Sequence, residues 1–293
     1  MTIMYYILGE NLDIYVQSYF SILSFKKQMQ NDDRIVIITT NPSFFNHFSF
    51  VETITIDEKN ITEWKGKHNF FWRTKIKAIE TISNMYPSDD LLYIDCDTFL
   101  YGNFNTLKQE LKNNKSFMDG NEGHPSKTTH KHQQLYNKVK GKTIANIMIS
   151  EKHDMWCAGV CGIPAAMKTE ITTTALSLCD GMLDENAYPD FIEQYSLSIA
   201  LKEKTNLNTS KPYIAHYWSQ KQEWIDTAKQ LFLKSLFTNA DLATEMDLFS
   251  KIPFTQIPIY VKKHKTNQAI KSFADKYFPN YQKTFLNTSK IEF

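Results

Sequence analysis

Ten consecutive residues, Leu91-Leu92-Tyr93-Ile94-Asp95-Cys96-Asp97-Thr98-Phe99-Leu100, leave this chain few choices of architecture. A short apolar run behind the polar break Ser88-Asp89-Asp90 reads as a buried central strand. Its exit carries two carboxylates, and open α/β sheets bind ligands in the crevice beyond the carboxyl ends of their strands. Side chains two apart on extended backbone point the same way. Asp95 and Asp97 can therefore reach one hard cation, and a divalent ion with open positions would hold a substrate's phosphates. An ordinary turn after a strand also favours Asp, but two carboxylates beside a core strand need partners.

Composition narrows the class. The 293 residues carry 33 basic and 32 acidic side chains, so nothing global points to nucleic acid. A hydrophobic share of 42% supports a substantial core. Cys96, Cys157, Cys161 and Cys179 form no C-x-x-C pair and no zinc-finger spacing, so reduced thiols in a cytoplasmic protein are expected. No signal-peptide pattern opens the sequence, and no apolar run is long enough to span a bilayer.

In chain order, residues 4–8, 34–39 and 52–56 read as strands and residues 12–28 as a helix. This opening suggests the nucleotide-binding half of a doubly wound sheet, yet G-x-G-x-x-G and the P-loop are both absent. Any bound diphosphate must then be neutralised by metal and side chains. A helix is expected over 70–86, with Trp72, Ile76, Ile79 and Ile82 on one face, ending before Pro87. Arg73 and Lys75 lie in its first turns, where a helix dipole disfavours cations; they either serve an anion or are solvated. Residues 116–119 suggest a short strand. The polar stretch 120–143, with His124, His130 and His132, suggests a loop or lid broken by a helix at 134–139, its histidines more easily solvated than metal-bound. Small residues in Trp156-Cys157-Ala158-Gly159 permit close backbone approach to a helix or a ligand. A helix over 165–179 and a loop over 181–189 follow. Asp190 and Glu193 fit a capping box. A strand over 211–215 delivers His216 to its tip, as a third metal ligand or a hydrogen-bonded structural histidine.

Together these pieces resemble glycosyltransferase family 8, the retaining nucleotide-sugar transferases of GT-A fold. The matching segments are FFWRTKIKAI, LLYIDCDTFL, WCAGVCGI, Glu193-Gln194 and IAHYW, in order across residues 1 to about 225. The resemblance implies an α/β GT-A domain over 1–225 and a helical extension over 226–293. It implies Mn²⁺ or Mg²⁺ on Asp95, Asp97 and His216, and a UDP-sugar donor met by Asp95, Lys75, Gly159 and Lys221. Arg73 would stand near the donor sugar, and Glu193 with Gln194 near the reacting carbon. The acceptor would be a glycan or a lipid-linked sugar. Three departures stand out: Cys157 replaces an asparagine, Tyr195 an acid, and Lys221 arrives one residue early in the last motif. Two other readings stay open, a non-catalytic nucleotide-sugar binder and a haloacid-dehalogenase-type phosphatase.

Beyond Trp224 helices are expected over 223–237 and 241–251. The tail is basic and aromatic, with Lys262, Lys263, Lys265, Lys271, Lys276, Lys283 and Lys290 interleaved with Tyr260, Phe273, Tyr277, Phe278, Tyr281 and Phe285. Such a segment either meets an anionic membrane surface peripherally or packs its aromatics on a core with lysines outside.

Overall fold

The apolar runs fold as buried strands. The computed structural model describes residues 1–261, 270, 272–274, 276 and 277. Residues Met1–Ile259 form one compact unit and Tyr260–Phe293 a second. Most of the basic-aromatic tail, including Lys262, Lys263, Lys265, Lys271, Lys283 and Lys290, lies outside the described residues. No helix among the described residues is long and apolar enough to cross a membrane.

The compact unit opens with β1 (Thr2–Ile7), α1 (Leu12–Lys26), β2 (Arg34–Thr39), β3 (Val51–Thr55), α2 (Glu58–Trp64) and α3 (Arg73–Met85). Next come β4 (Leu91–Ile94), β5 (Thr98–Leu100), α4 (Phe104–Lys112), β6 (Lys115–Met118), β7 (Asn121–Gly123) and α5 (His130–Val139). The short strands β8 (Thr143–Ile144), β9 (Ile147–Met148) and β10 (Met155–Trp156) precede β11 (Val160–Ile163), α6 (Lys168–Asp184) and α7 (Ile192–Lys204). Strands β12 (Asn206–Thr209) and β13 (Ile214–His216) lead to α8 (Lys221–Thr238) and α9 (Leu242–Ser250).

Seven strands form a mixed sheet in the order β12-β6-β11-β4-β1-β2-β3. Strand β11 runs antiparallel to both its neighbours, and the other pairs are parallel. Helices cover both faces, an α/β arrangement compatible with a Rossmann-like fold. Alternation along β1 shows how the core divides: Ile3, Tyr5 and Ile7 join one apolar cluster with residues of α1, α4 and α8, while Met4 joins the other with residues of α3, α6 and α7. Full burial of each such side chain is worth about 1.5–3 kcal/mol.

Several boundaries differ from the sequence expectation for local reasons. Asn69 takes a left-handed φ of 50°, so the chain turns there and α3 starts at Arg73. Trp72 therefore leaves the apolar face and is 51% exposed. The expected loop at 181–189 begins as helix, because α6 continues to Asp184; Gly181 serves close packing, since a Cβ there would meet Ile144 Cγ2 at 2.3 Å. The stretch 120–143 is ordered as β7, a 3-10 turn and a full α5, whose His132, Leu135, Tyr136 and Val139 are buried. His132 is thus a core residue, edge-on to Phe191 at 4.3 Å between ring centroids. Helix α8 runs unbroken through the 225/226 boundary expected from sequence, and Trp224, Ala228 and Leu231 share the apolar cluster with α1.

Burial alone holds the His132 imidazole below its ordinary pKa of 6.5. A depressed folded-state pKa means that the unfolded chain binds the proton first. Stability is then full above about pH 6.5 and falls as acid is added, until the folded value is passed. Replacing His132 by leucine should flatten the decline in urea-denaturation free energy between about pH 6.5 and 5. An unchanged slope would assign the acid sensitivity elsewhere.

Candidate metal centre

Because β11 alone is reversed, the C-terminal ends of β1, β2, β4 and β6 and the N-terminal end of β11 lie along one edge of the sheet. Asp95 follows β4, Asp119 follows β6, and Cys157-Ala158-Gly159 leads into β11. The ladder extends one step further here, with Asp95 N donating to Gly159 O at 2.8 Å. Histidine 216 arrives from a separate two-stranded ribbon, in which it lies opposite Thr98 of β5. Tyr217 N donates to Asp97 O at 3.0 Å and fixes the two segments side by side.

Potential ligand atoms of Asp95, Asp97 and His216 all lie within 4.8 Å of one another. These groups can bind a metal ion. His216 Nε2 stands 3.5 Å from Asp97 Oδ1, and its Nδ1 stands 3.1 Å from Asp119 Oδ2. A carboxylate on the far nitrogen is the usual device for fixing the tautomer of a metal-ligating histidine. Room for the ring comes from Gly159: a Cβ there would lie 2.3 Å from His216 Cε1. Gly159 thus serves close approach to a histidine.

Asp97 sits between two positive groups, His216 and Lys221. Lys221 Nζ binds Asp97 Oδ2 at 2.7 Å. Burial would raise the Asp97 carboxyl, but the His216 and Lys221 hydrogen bonds and charges outweigh it and hold it well below the carboxylate range. Burial would likewise lower His216; hydrogen bonds to Asp119, Asp97 and Cys157, with the charge of Asp97, push it up to about 12. Without metal the ring is an imidazolium at neutral pH, so a metal that takes one of its nitrogens expels a proton.

Beneath Asp95 sits a buried charged layer. Lys75 is 7% exposed and donates to Ala158 O at 2.7 Å. Its Nζ is 3.2 Å from Glu193 Oε1, 3.5 Å from Asp95 Oδ1 and 4.6 Å from the centre of the Tyr93 ring. The Tyr93 hydroxyl donates to Asp95 Oδ1. Burial would discharge Lys75, but Asp95 and Glu193 outweigh it and raise its pKa. Glu193 is raised by burial despite Lys75. Lys75 is therefore neither solvated nor idle; it bridges α3, β11 and α7.

Asp190 and Glu193 do not form the expected capping box. A 3-10 turn at Pro189–Phe191 precedes α7, whose first turn has no side-chain cap. Asp190 instead meets Lys131 at 2.6 Å, and Glu193 turns inward to Lys75. Gln194 donates to Glu122 Oε2 at 2.9 Å and receives Ala158 N at 3.4 Å, so it lines the same edge. Tyr195 faces the core, with its hydroxyl on His153 O at 3.2 Å. Arg73 is held by a two-pronged pair with Asp180, at 2.7 and 3.0 Å, and by Trp64 O at 2.8 Å, and so is engaged by α6 and α2.

Asp119, Tyr93 and Glu122 escaped the sequence reading. Asp119 had a signal, since it follows Phe117-Met118 at a strand exit just as Asp95 follows Tyr93-Ile94. No protein-family model matches the chain, and no curated protein matches it.

Proposed function

We propose that this chain is a metal-dependent glycosyltransferase that moves a hexose from a UDP-sugar to a glycan or lipid-linked acceptor, on a fold of the GT-A kind. The observation that carries the reading is the convergence of Asp95, Asp97 and His216 at the exit of the central strand, with Lys221 on Asp97. The residues fit Mn²⁺ or Mg²⁺: two hard carboxylates and one imidazole nitrogen whose other side is held by Asp119. When bound, such an ion supplies Lewis-acid stabilisation of the leaving diphosphate.

The chain's own residues supply the rest. Lys221 brings a mobile positive charge to the diphosphate side of the site. The layer of Lys75, Tyr93 and Glu193 fixes the Asp95 carboxylate from below. Gln194 and Glu122 present polar groups on the side where a sugar would lie. Further along the same sheet edge, a cavity of about 420 Å³ is lined by Leu8, Ile61 and Phe71 together with polar and charged residues that include Glu10, Asn41, Glu58 and Lys65, and is the candidate place for the nucleoside.

Calorimetric titration with UDP tests the reading. Binding should require Mn²⁺ or Mg²⁺, and UDP-hexoses should then be turned over. Metal-dependent binding without turnover of any sugar nucleotide would favour the non-catalytic reading, and metal-independent binding would reject the site assignment.

A further inference from the structure

A second group of donors lies on the other side of the same histidine. We propose that Asp119, Cys157 and the Nδ1 side of His216 form a second metal site, suited to a thiophilic divalent ion such as Zn²⁺ and distinct from the Asp95–Asp97 pair. Ligand atoms of the three residues all lie within 4.8 Å of one another. Nδ1 is 3.1 Å from Asp119 Oδ2 and 3.8 Å from Cys157 Sγ. A tetrahedral zinc ion, with bonds of about 2.0–2.3 Å, sets its donors about 3.3–3.6 Å apart. The two edges from Nδ1 lie within about 0.3 Å of that range, and the third, between Asp119 and Cys157, is under 4.8 Å.

The backbone already holds these donors. Asp119 N donates to Cys157 O at 3.1 Å, and Cys157 N donates to Gly120 O at 2.9 Å. This paired stretch sets the thiol beside the carboxylate, and Gly159 leaves the gap into which the imidazole fits. One thiolate and one carboxylate would neutralise a dication, with the thiol proton and the Nδ1 proton of the imidazolium both released to solvent. The fourth position falls to water, so the site is open rather than closed. Sulfur discriminates against Mg²⁺ and Mn²⁺ in favour of Zn²⁺, whereas the Asp95–Asp97 side offers hard oxygens.

Sharing His216 couples the two sites. An ion on Nδ1 leaves the ring proton on Nε2, which then faces Asp97 as a donor and cannot ligate a second ion. A thiophilic ion would thus remove one ligand from the carboxylate site and oppose Mn²⁺-dependent activity. The second site itself does not depend on the glycosyltransferase reading; only this inhibition does.

The test uses tag-free, full-length protein stripped of metal. Titration with Co²⁺ should give sulfur-to-cobalt charge-transfer absorption, lost in Cys157→Ser and Cys157→Ala and kept in Cys96→Ala, because Cys96 packs against the apolar cluster formed with α1, α4 and α8. Outer-shell losses already cost 10–100-fold in metal affinity, so loss of the thiolate should weaken Zn²⁺ binding, read against a chromophoric chelator, by at least about 100-fold. A parent cobalt spectrum without the sulfur band would overturn the proposal, leaving a hydrogen-bonded trio only. So would unchanged Zn²⁺ affinity in Cys157→Ala. A sulfur band in a protein that binds no UDP would reject the glycosyltransferase reading and leave this site standing.

Discussion

Replacing Asp97 by alanine is expected to end metal-dependent UDP binding and to lower turnover by about 10³-fold, the equivalent of about 4 kcal/mol of lost charge stabilisation. Asp97 is in contact with both His216 and Lys221. Its removal takes a ligand from the ion and leaves Lys221 without its partner. The fold should tolerate the change: Lys221 has a half-exposed side chain that can turn to water, and His216 keeps Asp119. The charge-transfer signal of the Asp119–Cys157–His216 trio should therefore survive in Asp97→Ala. Calorimetry with and without Mn²⁺, beside a denaturation curve, separates lost chemistry from lost structure. Retained Mn²⁺-dependent binding in this variant would show that the diphosphate lies elsewhere.

Lys75→Met should be the most destabilising of the site substitutions, by roughly 3–5 kcal/mol at neutral pH. The methionine fills most of the volume but leaves Glu193 and Asp95 facing one another with no cation between them. Glu193 is already raised above its ordinary 4.5 by burial, and without Lys75 it rises further. With a raised folded-state pKa the native protein holds a proton that the unfolded chain has released. The loss should therefore be smallest below about pH 4.5 and grow as pH rises through the folded value. Adding Glu193→Gln should recover part of the stability and remove most of that pH dependence. Urea titrations at several pH values check both parts; a flat profile in Lys75→Met would mean that Glu193 does not carry the charge ascribed to it.

The parts legible in sequence were those written in contiguous residues. Apolar runs gave β1, β2 and β4 within about two residues, because burial on both faces demands unbroken hydrophobicity. The candidate ligands Asp95 and Asp97 were conspicuous for the same reason: a strand that must be apolar makes the carboxylates at its exit stand out. The charged layer was not. Lys75 looks like a surface residue on a helical wheel, and only the packing of α3 against β11 and α7 turns it inward. The capping box failed because a three-residue 3-10 turn occupies the place where Asp190 would have capped, rotating Glu193 into the core. At Gly181, a residue that commonly ends helices was instead selected by a neighbour, Ile144, from a segment that reads as loop.

The ribbon of β5 and β13 has a meaning for the unfolded chain as well. Its two strands begin and end on candidate metal ligands, Asp97 just before Thr98 and His216 opposite it. The chain between them, which contains β6, β11 and α4 through α7, is one loop of roughly 120 residues closed at its mouth. An ion that ties Asp97 to His216 acts there as a reversible cross-link, restricting the denatured ensemble much as a disulfide of the same span would. The ion would then be a staple of the architecture as well as a reagent of the site.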